Sequence, residues 1–264
     1  MNCIDASSPN LLEAIAMGLR NDEFKMYLQF IVDSKTKKIV SAEALSRWET
    51  ADHVLIFPGQ YIGPMEKAGM IATLDYLMFE KACRKLSEWA DTKFGEISIS
   101  CNFTRITISE PDFAEKVREI AARYDFAYHK LIMEITEDSI EQNREIARSN
   151  LQAAKTLGFT VALDDIGSGY TSLRNLCEYP IDLVKLDRAL LLLTDTERGI
   201  KLFRGIISLV HSLDLKLVCE GVETEEQDKL VAESGGDYIQ GWYYSKGLSE
   251  AQAEAFAKEY MSRF

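Results

Sequence analysis

Residues 160–187 read TVALDDIGSGYTSLRNLCEYPIDLVKLD, and this stretch decides the fold class. Two short apolar runs, Thr160–Asp164 and Leu183–Leu186, have the composition of strands that are covered on both faces. The residues that follow Gly169 predict a short helix between them. A strand, a helix and a second strand in this order indicate parallel strands in an α/β fold.

The same alternation extends in both directions along the chain. Further strands are predicted at Met26–Val32, Ile39–Leu45, Ile97–Asn102, Leu131–Thr136, Leu215–Glu220 and near Tyr238. Helices are predicted at Asn10–Asn21, Met70–Trp89, Pro111–Arg123, Asn143–Leu157, Thr196–Ser212, Thr224–Ser234 and from Ser249 onward. About seven or eight strands favour a closed (β/α)8 barrel over an open sheet. Because Met26–Val32 does not follow the βα order, we expect one strand to be antiparallel.

Composition and charge exclude several classes of protein. The 264 residues include 30 Lys and Arg against 42 Asp and Glu, a net charge of −12, and 47% are hydrophobic. This composition is typical of a soluble globular protein, and because the negative charge repels a phosphate backbone, we expect no binding to duplex nucleic acid. With neither a signal-like start nor a long apolar window, we expect a cytoplasmic protein without a membrane anchor.

The chain shows no internal repeat, linker or shift in composition. We therefore expect residues 1–10 to form an N-terminal tail and residues 11–264 to form a single domain. The five cysteines are scattered, and their spacing predicts neither disulfides nor a zinc site.

Polar side chains recur at the C-terminal ends of the predicted strands. They are Glu43, Asn102, Glu134, Asp164, Asp165, Lys185, Glu220 and Gln240. In a barrel these ends meet at one face, where clustered carboxylates repel one another unless cations neutralise them. Oxygen ligands without His or Cys favour Mg²⁺ or Mn²⁺, and two such ions suit the attack of water on phosphorus. Lys185 could orient or deprotonate that water.

Several sequence blocks carry a resemblance to a known family. Glu43-Ala44-Leu45, followed by Ser46-Arg47-Trp48, matches the motif that names the EAL domain. Further blocks follow in order as FPGQYIGPMEKAGMI, CNFT, MEITED, LDDIGSGYTSL, PIDLVKLDR, CEGVET and QGWYYSKGL. The chain thus resembles, from about Leu11 to Leu248, the bacterial phosphodiesterases that hydrolyse cyclic di-GMP to linear pGpG.

The resemblance implies a modified TIM barrel with one antiparallel strand, two divalent ions per site and a homodimer formed through the helices around the Asp165 loop. It implies metal ligands at Glu43, Asn102, Glu134, Asp164, Asp165 and Glu220. It assigns catalytic roles to Glu43 and to Lys185 and Gln240, which would orient the water, and to Glu137, which would steady the loop after Asp165. Arg47 and Gln29 are the implied substrate-binding residues.

The sequence departs from the family pattern at four positions, and none of them is a metal ligand. Phe30 and Gly247 replace usual prolines, Ser46 a usual leucine and Ile166 a usual phenylalanine. We expect Phe30 and Ser46 to border the substrate groove, and Ile166 to lie beside Asp165 on the catalytic loop.

Other interpretations stay open at this point. A silent relative would bind cyclic di-GMP or a protein without cleaving anything, although such relatives usually lack some acidic ligands. A barrel lyase or aldolase would use Lys185 to form a Schiff base. Trp48 and Trp242 follow site residues and could either stack on a purine or belong to the core.

Overall fold

The computed structural model describes residues 9–136, 144–168 and 173–263. The strands are β1 (Phe24–Asp33), β2 (Ile39–Glu49), β3 (Leu55–Ile56), β4 (Ser98–Phe103), β5 (Leu131–Thr136), β6 (Thr160–Ile166), β7 (Leu183–Leu186), β8 (Lys216–Cys219), β9 (Tyr238–Gln240) and β10 (Leu248–Ser249). The α-helices are α1 (Pro9–Arg20), α2 (Ile62–Lys67), α3 (Ile71–Trp89), α4 (Arg105–Ile108), α5 (Phe113–Ala121), α6 (Arg144–Leu157), α7 (Leu173–Glu178), α8 (Arg188–Leu192), α9 (Glu197–Ser212), α10 (Glu225–Glu233) and α11 (Glu250–Met261).

Eight of these strands close into a barrel. Strands β2, β4, β5, β6, β7, β8 and β9 are parallel neighbours in that order, and β1 closes the ring by pairing antiparallel with both β9 and β2. The short strands β3 and β10 extend the sheet beside β2 and β1. The predicted α/β barrel with one antiparallel strand is therefore confirmed, and the antiparallel strand is β1.

A short connection explains why β1 runs against its neighbours. Only residues 34–38 separate β1 from β2, which is long enough for a hairpin but far too short for a parallel crossover. Within this turn the Asp33 carboxylate accepts hydrogen bonds from the backbone N–H groups of Lys35, at 3.0 Å, and Thr36, at 2.6 Å. Asp33 therefore provides hydrogen-bond acceptors for the backbone N–H groups of its own turn, as the aspartate of an Asx turn does.

The apolar residues form a large layer outside the barrel and a small one inside it. The outer core lies between strands and helices and includes Phe79, whose ring packs against Phe103 at 5.6 Å and against Phe159 at 5.7 Å. The inner cluster consists of Ile31, Ile132, Ala162, Leu183 and Val218. Because side chains alternate along a strand, one strand can contribute to both layers, as β5 does with Ile132 inside and Met133 outside.

Phe30 does not border a groove, so that expectation is wrong. Its side chain is fully buried, its ring stacks on Phe256 at 5.5 Å, and its backbone N–H donates to Ser245 Oγ at 3.0 Å. Alternation along β1 points Phe30 toward α11 and its neighbour Gln29 toward the barrel interior.

Trp48 belongs to the core. It is buried, stacks on Phe24 at 5.3 Å, and donates from Nε1 to Glu23 Oε2 at 2.9 Å.

In the described ranges, no helix combines the length and apolar character that a membrane span requires.

Candidate active site

Lys185 lies at the centre of the acidic cluster. Its strand β7 places the ammonium inside the barrel, where the side chain is 1% exposed. Lys185 Nζ lies 2.7 Å from Glu220 Oε1, 3.0 Å from Glu134 Oε2, 3.2 Å from Glu43 Oε2 and 3.5 Å from Asp164 Oδ2. Four carboxylates from four different strands or strand ends thus converge on one ammonium group.

Two amide side chains complete the surroundings of Glu43. Asn102 Nδ2 donates to Glu43 Oε1 at 2.8 Å, and Gln240 Nε2 donates to Glu43 Oε2 at 2.7 Å. Burial raises the pKa of Glu43, but the charge of Lys185 and these two amide donors outweigh it and hold the pKa below its ordinary value. Glu43 is therefore the carboxylate of the cluster that the protein itself holds ionised.

For the other carboxylates of the cluster, nearby positive charge and hydrogen-bond donors do not offset the rise in pKa that burial causes. Burial raises the pKa of Glu134 well above its ordinary value, and it raises that of Glu220 to about 8 and that of Asp165 to about 6. The pKa of Asp164 is also raised, again chiefly by burial. Because the ammonium of Lys185 balances only one negative charge, the cluster requires protons or further cations.

The donor set fits divalent cations. Asp164, Asp165 and Glu220 each offer an oxygen atom, and these atoms lie within 4.8 Å of one another. Within the described part of the chain, the buried atoms Glu134 Oε1 and Gln240 Oε1 have no hydrogen-bond partner. Carboxylate and amide oxygens are the ligands that hard ions such as Mg²⁺ and Mn²⁺ prefer.

A backbone irregularity lets two consecutive aspartates contribute to one site. Successive strand residues normally point to opposite faces. Between Leu163 and Ile166 the pairing of β6 with β7 shifts register, and Asp165 adopts the left-handed conformation with φ 63°. Asp164 Oδ1 also accepts the backbone N–H of Asp165 at 2.8 Å, which stabilises this turn. The irregularity accounts for the close approach of both carboxylates to Glu220.

The strand termini differ in detail from the prediction. Glu220 directly follows β8, and Gln240 ends β9, as expected. Glu43 lies within β2, which continues to Glu49 as the partner of β1 and pairs with β4 only up to Ala44. Glu43 thus lies one residue before the end of the parallel part of β2, which is close to the predicted strand end at Leu45.

The two predicted substrate-binding residues lie in different surroundings. Gln29 is opposite Glu43 in the β1–β2 ladder and donates from Nε2 to the backbone oxygen of Ser245 at 3.1 Å. Arg47 lies farther along β2, where its guanidinium is 5.2 Å from the ring centre of Phe57. Gln29 lines a cavity at the acidic cluster, whereas Arg47 lines neither cavity described below. The predicted catalytic residue Glu137 lies outside the described residues.

Two cavities open at this end of the barrel. The larger, of about 560 Å³, is lined by Asn102 and by Ser46, as expected for a residue bordering the groove. The second, of about 350 Å³, contains Glu43, Lys185 and Glu220. Because Asn102 is hydrogen-bonded to Glu43, the two cavities meet at this pair.

Sequence reasoning missed Asp75. This buried carboxylate of α3 lines the larger cavity, and its Oδ2 accepts the backbone N–H of Thr104 at 2.9 Å and the hydroxyl of Thr107 at 2.5 Å. Burial raises the pKa of Asp75 to about 6. A lone aspartate between Leu74 and Tyr76 on an otherwise apolar helix face was the available signal.

The sequence left open whether Trp242 belongs to the core or to the site, and the structure places it at the rim of the second cavity. Trp242 lines it with 62% of its surface exposed, and the ammonium of Lys246 lies 5.0 Å from its ring centre. Arg188 lines the same cavity and pairs with both carboxylate oxygens of Glu223, at 2.8 and 3.0 Å. Of the two tryptophans considered, Trp242 is therefore the one exposed at the site.

Comparison with known proteins finds relatives along nearly the whole chain. Cyclic di-GMP phosphodiesterase NbdA of Pseudomonas aeruginosa is 29% identical over 249 residues, which is 94% of this chain and 32% of NbdA. Cyclic di-GMP phosphodiesterase PdeR of Escherichia coli is 28% identical over 248 residues, 93% of this chain and 37% of PdeR. The chain thus spans about a third of the length of these curated relatives.

A solved structure described as the PaMucR phosphodiesterase in complex with c-di-GMP superimposes with a TM-score of 0.86 at 28% identity. The match covers 92% of this chain and 99% of that one. The profile of the EAL domain matches residues 11–247, nearly the whole sequence. The chain therefore belongs to the EAL domain family.

Proposed function

We propose that the protein hydrolyses cyclic di-GMP to linear pGpG, using two divalent cations, Mg²⁺ or Mn²⁺. The observation that carries the proposal is the convergence of Glu43, Glu134, Asp164 and Glu220 on Lys185 at the mouth of an EAL barrel. Every proposed ligand is chemically intact, whereas a silent receptor has no need for a set of mutually repelling carboxylates.

The cations would be held by oxygen atoms of six residues. These are Glu43, Asn102, Glu134, Asp164, Asp165 and Glu220. When bound, divalent cations would neutralise the cluster, activate water and stabilise charge on the phosphate oxygens. The close group formed by Asp164, Asp165 and Glu220 supports this assignment.

Lys185 and Gln240 would orient the attacking water. Burial lowers the pKa of Lys185, but the carboxylates around it raise the pKa further, to well above its ordinary value. In this geometry Lys185 is an ammonium, so it donates hydrogen bonds rather than accepting a proton. Gln240 Oε1 is an available acceptor beside it. Cations on the same carboxylates would lower the pKa of Lys185 again, and it could then also serve as a base.

The two cavities suit the two halves of a cyclic dinucleotide. The Glu43–Asn102 pair lies between them, so a phosphodiester placed there would extend a base into each. In the larger cavity Asp75 could accept the N–H groups of a guanine edge. In the other, the exposed indole of Trp242 could stack on the second base. Arg47, at half-buried depth on β2, would contact a phosphate oxygen.

We also propose that the protein forms a homodimer through helix α9. Leu202, Leu209 and Leu213 have 49%, 38% and 37% of their surface exposed, and Leu192 and Leu193, just before α9, are each 50% exposed. Positions 202, 209 and 213 share one helical face. Such a row of exposed leucines supports pairing with a second copy of this face. The resemblance itself implies pairing through the helices around the Asp165 loop.

Chromatographic analysis of cyclic di-GMP turnover tests the proposed reaction. We expect pGpG with Mg²⁺ or Mn²⁺, no product with a chelator, and loss of product in Glu43→Ala and Lys185→Ala. Cyclic di-GMP binding by folded wild-type protein without any product would refute hydrolysis and favour a receptor. Borohydride trapping of a substrate on Lys185 would instead support a Schiff-base lyase.

A further inference from the structure

The lower half of the barrel interior is sparsely filled. Below the acidic cluster, toward the N-terminal ends of the strands, the inward-facing residues include Ser41, Ser100 and Ala162. Barrels of this type usually fill this level with bulky branched side chains. Here larger residues come from only part of the ring, among them Ile132 and Val218.

A cavity of about 210 Å³ occupies this region. Its upper wall includes Ser41, Ser100 and Glu134, so it reaches the underside of the acidic cluster. Its lower end is lined by His129, just before β5, and by Lys216, at the start of β8, and both residues are exposed. The cavity therefore opens on the face of the barrel opposite the proposed substrate site.

Three buried oxygen atoms around this cavity need partners. Within the described residues, Ser41 Oγ, Ser100 Oγ and Glu134 Oε1 make no hydrogen bond, although Ser41 is 7% exposed and the other two residues are 1% exposed. Ser100 is near enough to lower the pKa of Glu134, yet their geometry forms no direct bond. A buried polar atom left without a partner costs about 1–3 kcal/mol, and native proteins usually satisfy it with ordered water.

The dimensions and chemistry of the cavity favour water as its occupant. One water molecule needs only about 10–15 Å³ of such space and two to four polar partners. Several molecules in a file would fit and could bridge the serine hydroxyls to Glu134. An apolar ligand would leave the same three oxygen atoms without partners.

We propose that the lower barrel interior binds a file of water molecules, held by Ser41, Ser100 and Glu134, that connects the acidic cluster to solvent at the N-terminal mouth. Water would then exchange with the cluster from below while a ligand covers the upper mouth. The hydration itself does not depend on the proposed hydrolysis, so either can fail without the other.

Thiol labelling tests this water path. Ser100→Cys, made in a Cys177→Ser background to remove an exposed thiol, would be treated with a small cationic methanethiosulfonate reagent and analysed by peptide mass spectrometry. The neighbouring native Cys101 is a matched internal control, because it is fully buried and its Sγ lies 3.8 Å from the backbone oxygen of Met78, outside the cavity. We expect position 100 to react at least ~10-fold faster than Cys101, since labelling follows access.

A plug at the lower mouth identifies the entrance. Thr160 lines this mouth, and Thr160→Phe should slow labelling at position 100 while leaving circular dichroism unchanged. Equal, slow labelling of positions 100 and 101 would overturn the proposal. A labelling rate at position 100 that is the same with and without Thr160→Phe would also overturn it. Should the cysteine variant fail to fold, a high-resolution crystal structure of the wild type decides. Water on Ser100 Oγ supports the inference, and a dry interior with a direct Ser100–Glu134 bond refutes it.

Discussion

Asn102 Nδ2 donates a hydrogen bond of 2.8 Å to Glu43 Oε1 across the adjacent strands β4 and β2. This bond links the first acid of the cluster to the larger cavity, because Glu43 lines one cavity and Asn102 the other. We propose that a bound phosphodiester lies at this pair, with one base in each cavity.

Removing this amide should weaken the metal site without unfolding the protein. We expect Asn102→Ala to reduce metal affinity or turnover roughly 10- to 100-fold, since it removes a proposed oxygen ligand and a donor that orients Glu43. Manganese titration and turnover at saturating metal would measure the two effects. Asn21→Ala, at an exposed asparagine outside the site, should behave as wild type. An unchanged Asn102→Ala enzyme would remove Asn102 from the ligand set.

Replacing Lys185 should make stability depend on divalent cations. Lys185→Met leaves four contacting carboxylates without their ammonium, and breaking such buried pairs typically costs about 3–5 kcal/mol. We expect lower stability in chelator and substantial recovery with Mg²⁺, measured by urea unfolding. Lys201→Met serves as the control, because its ion pair with Glu197 is exposed. A loss that Mg²⁺ does not reverse contradicts cation binding by these carboxylates.

Asp75 should give stability a defined pH dependence. Burial raises its pKa to about 6 from the model-compound value of 3.8, so the folded protein prefers the protonated form. Its contribution to stability is present below about pH 4 and is lost as the pH rises through about 6. Relative to wild type, Asp75→Asn should gain about 2–3 kcal/mol between pH 4 and 7. Urea unfolding at several pH values measures this gain, and exposed Asp91→Asn should show none. A difference that stays constant with pH contradicts the raised pKa.

Trp242 should contribute to substrate affinity more than to folding. Its indole is 62% exposed at the cavity rim, so Trp242→Ala removes little core packing. Stacking on a base contributes about 1–3 kcal/mol, which corresponds to roughly a 5- to 150-fold rise in the Kd for cyclic di-GMP. Calorimetry with Mg²⁺ in a Lys185→Ala background, in which we expect no turnover, would measure it. Tyr243→Ala, at the next and 43% exposed position, is the matched control, and equal effects of the two substitutions would argue against stacking.

The leucines of α9 should control association. Leu202→Glu places a charge on the proposed dimer face, and analytical ultracentrifugation should then show a monomer where the wild type is a dimer. Met17→Glu, on α1 with 54% of the methionine exposed, should leave the dimer intact. Wild-type protein that sediments as a monomer at micromolar concentration would contradict the proposed dimer.

Much of the fold could be predicted because local sequence patterns encode it. Leu131–Thr136 and Leu183–Leu186 were predicted with the bounds that the structure shows, since buried parallel strands are mostly apolar and here contain only Glu134 and Lys185 as charged residues. The short helices α2, α4 and α8 were missed, because four to six residues are too few to show helical periodicity.

The sequence by itself determined the order of strands and helices and the identity of the acidic residues near the strand ends, because both depend on residue type and short-range spacing. Only the tertiary structure decided that Lys185 contacts four carboxylates, that Phe30 faces α11 and that Asp75 lines a cavity. These features join residues far apart in the chain. They depend on barrel closure and on the direction of each side chain, which long-range packing sets.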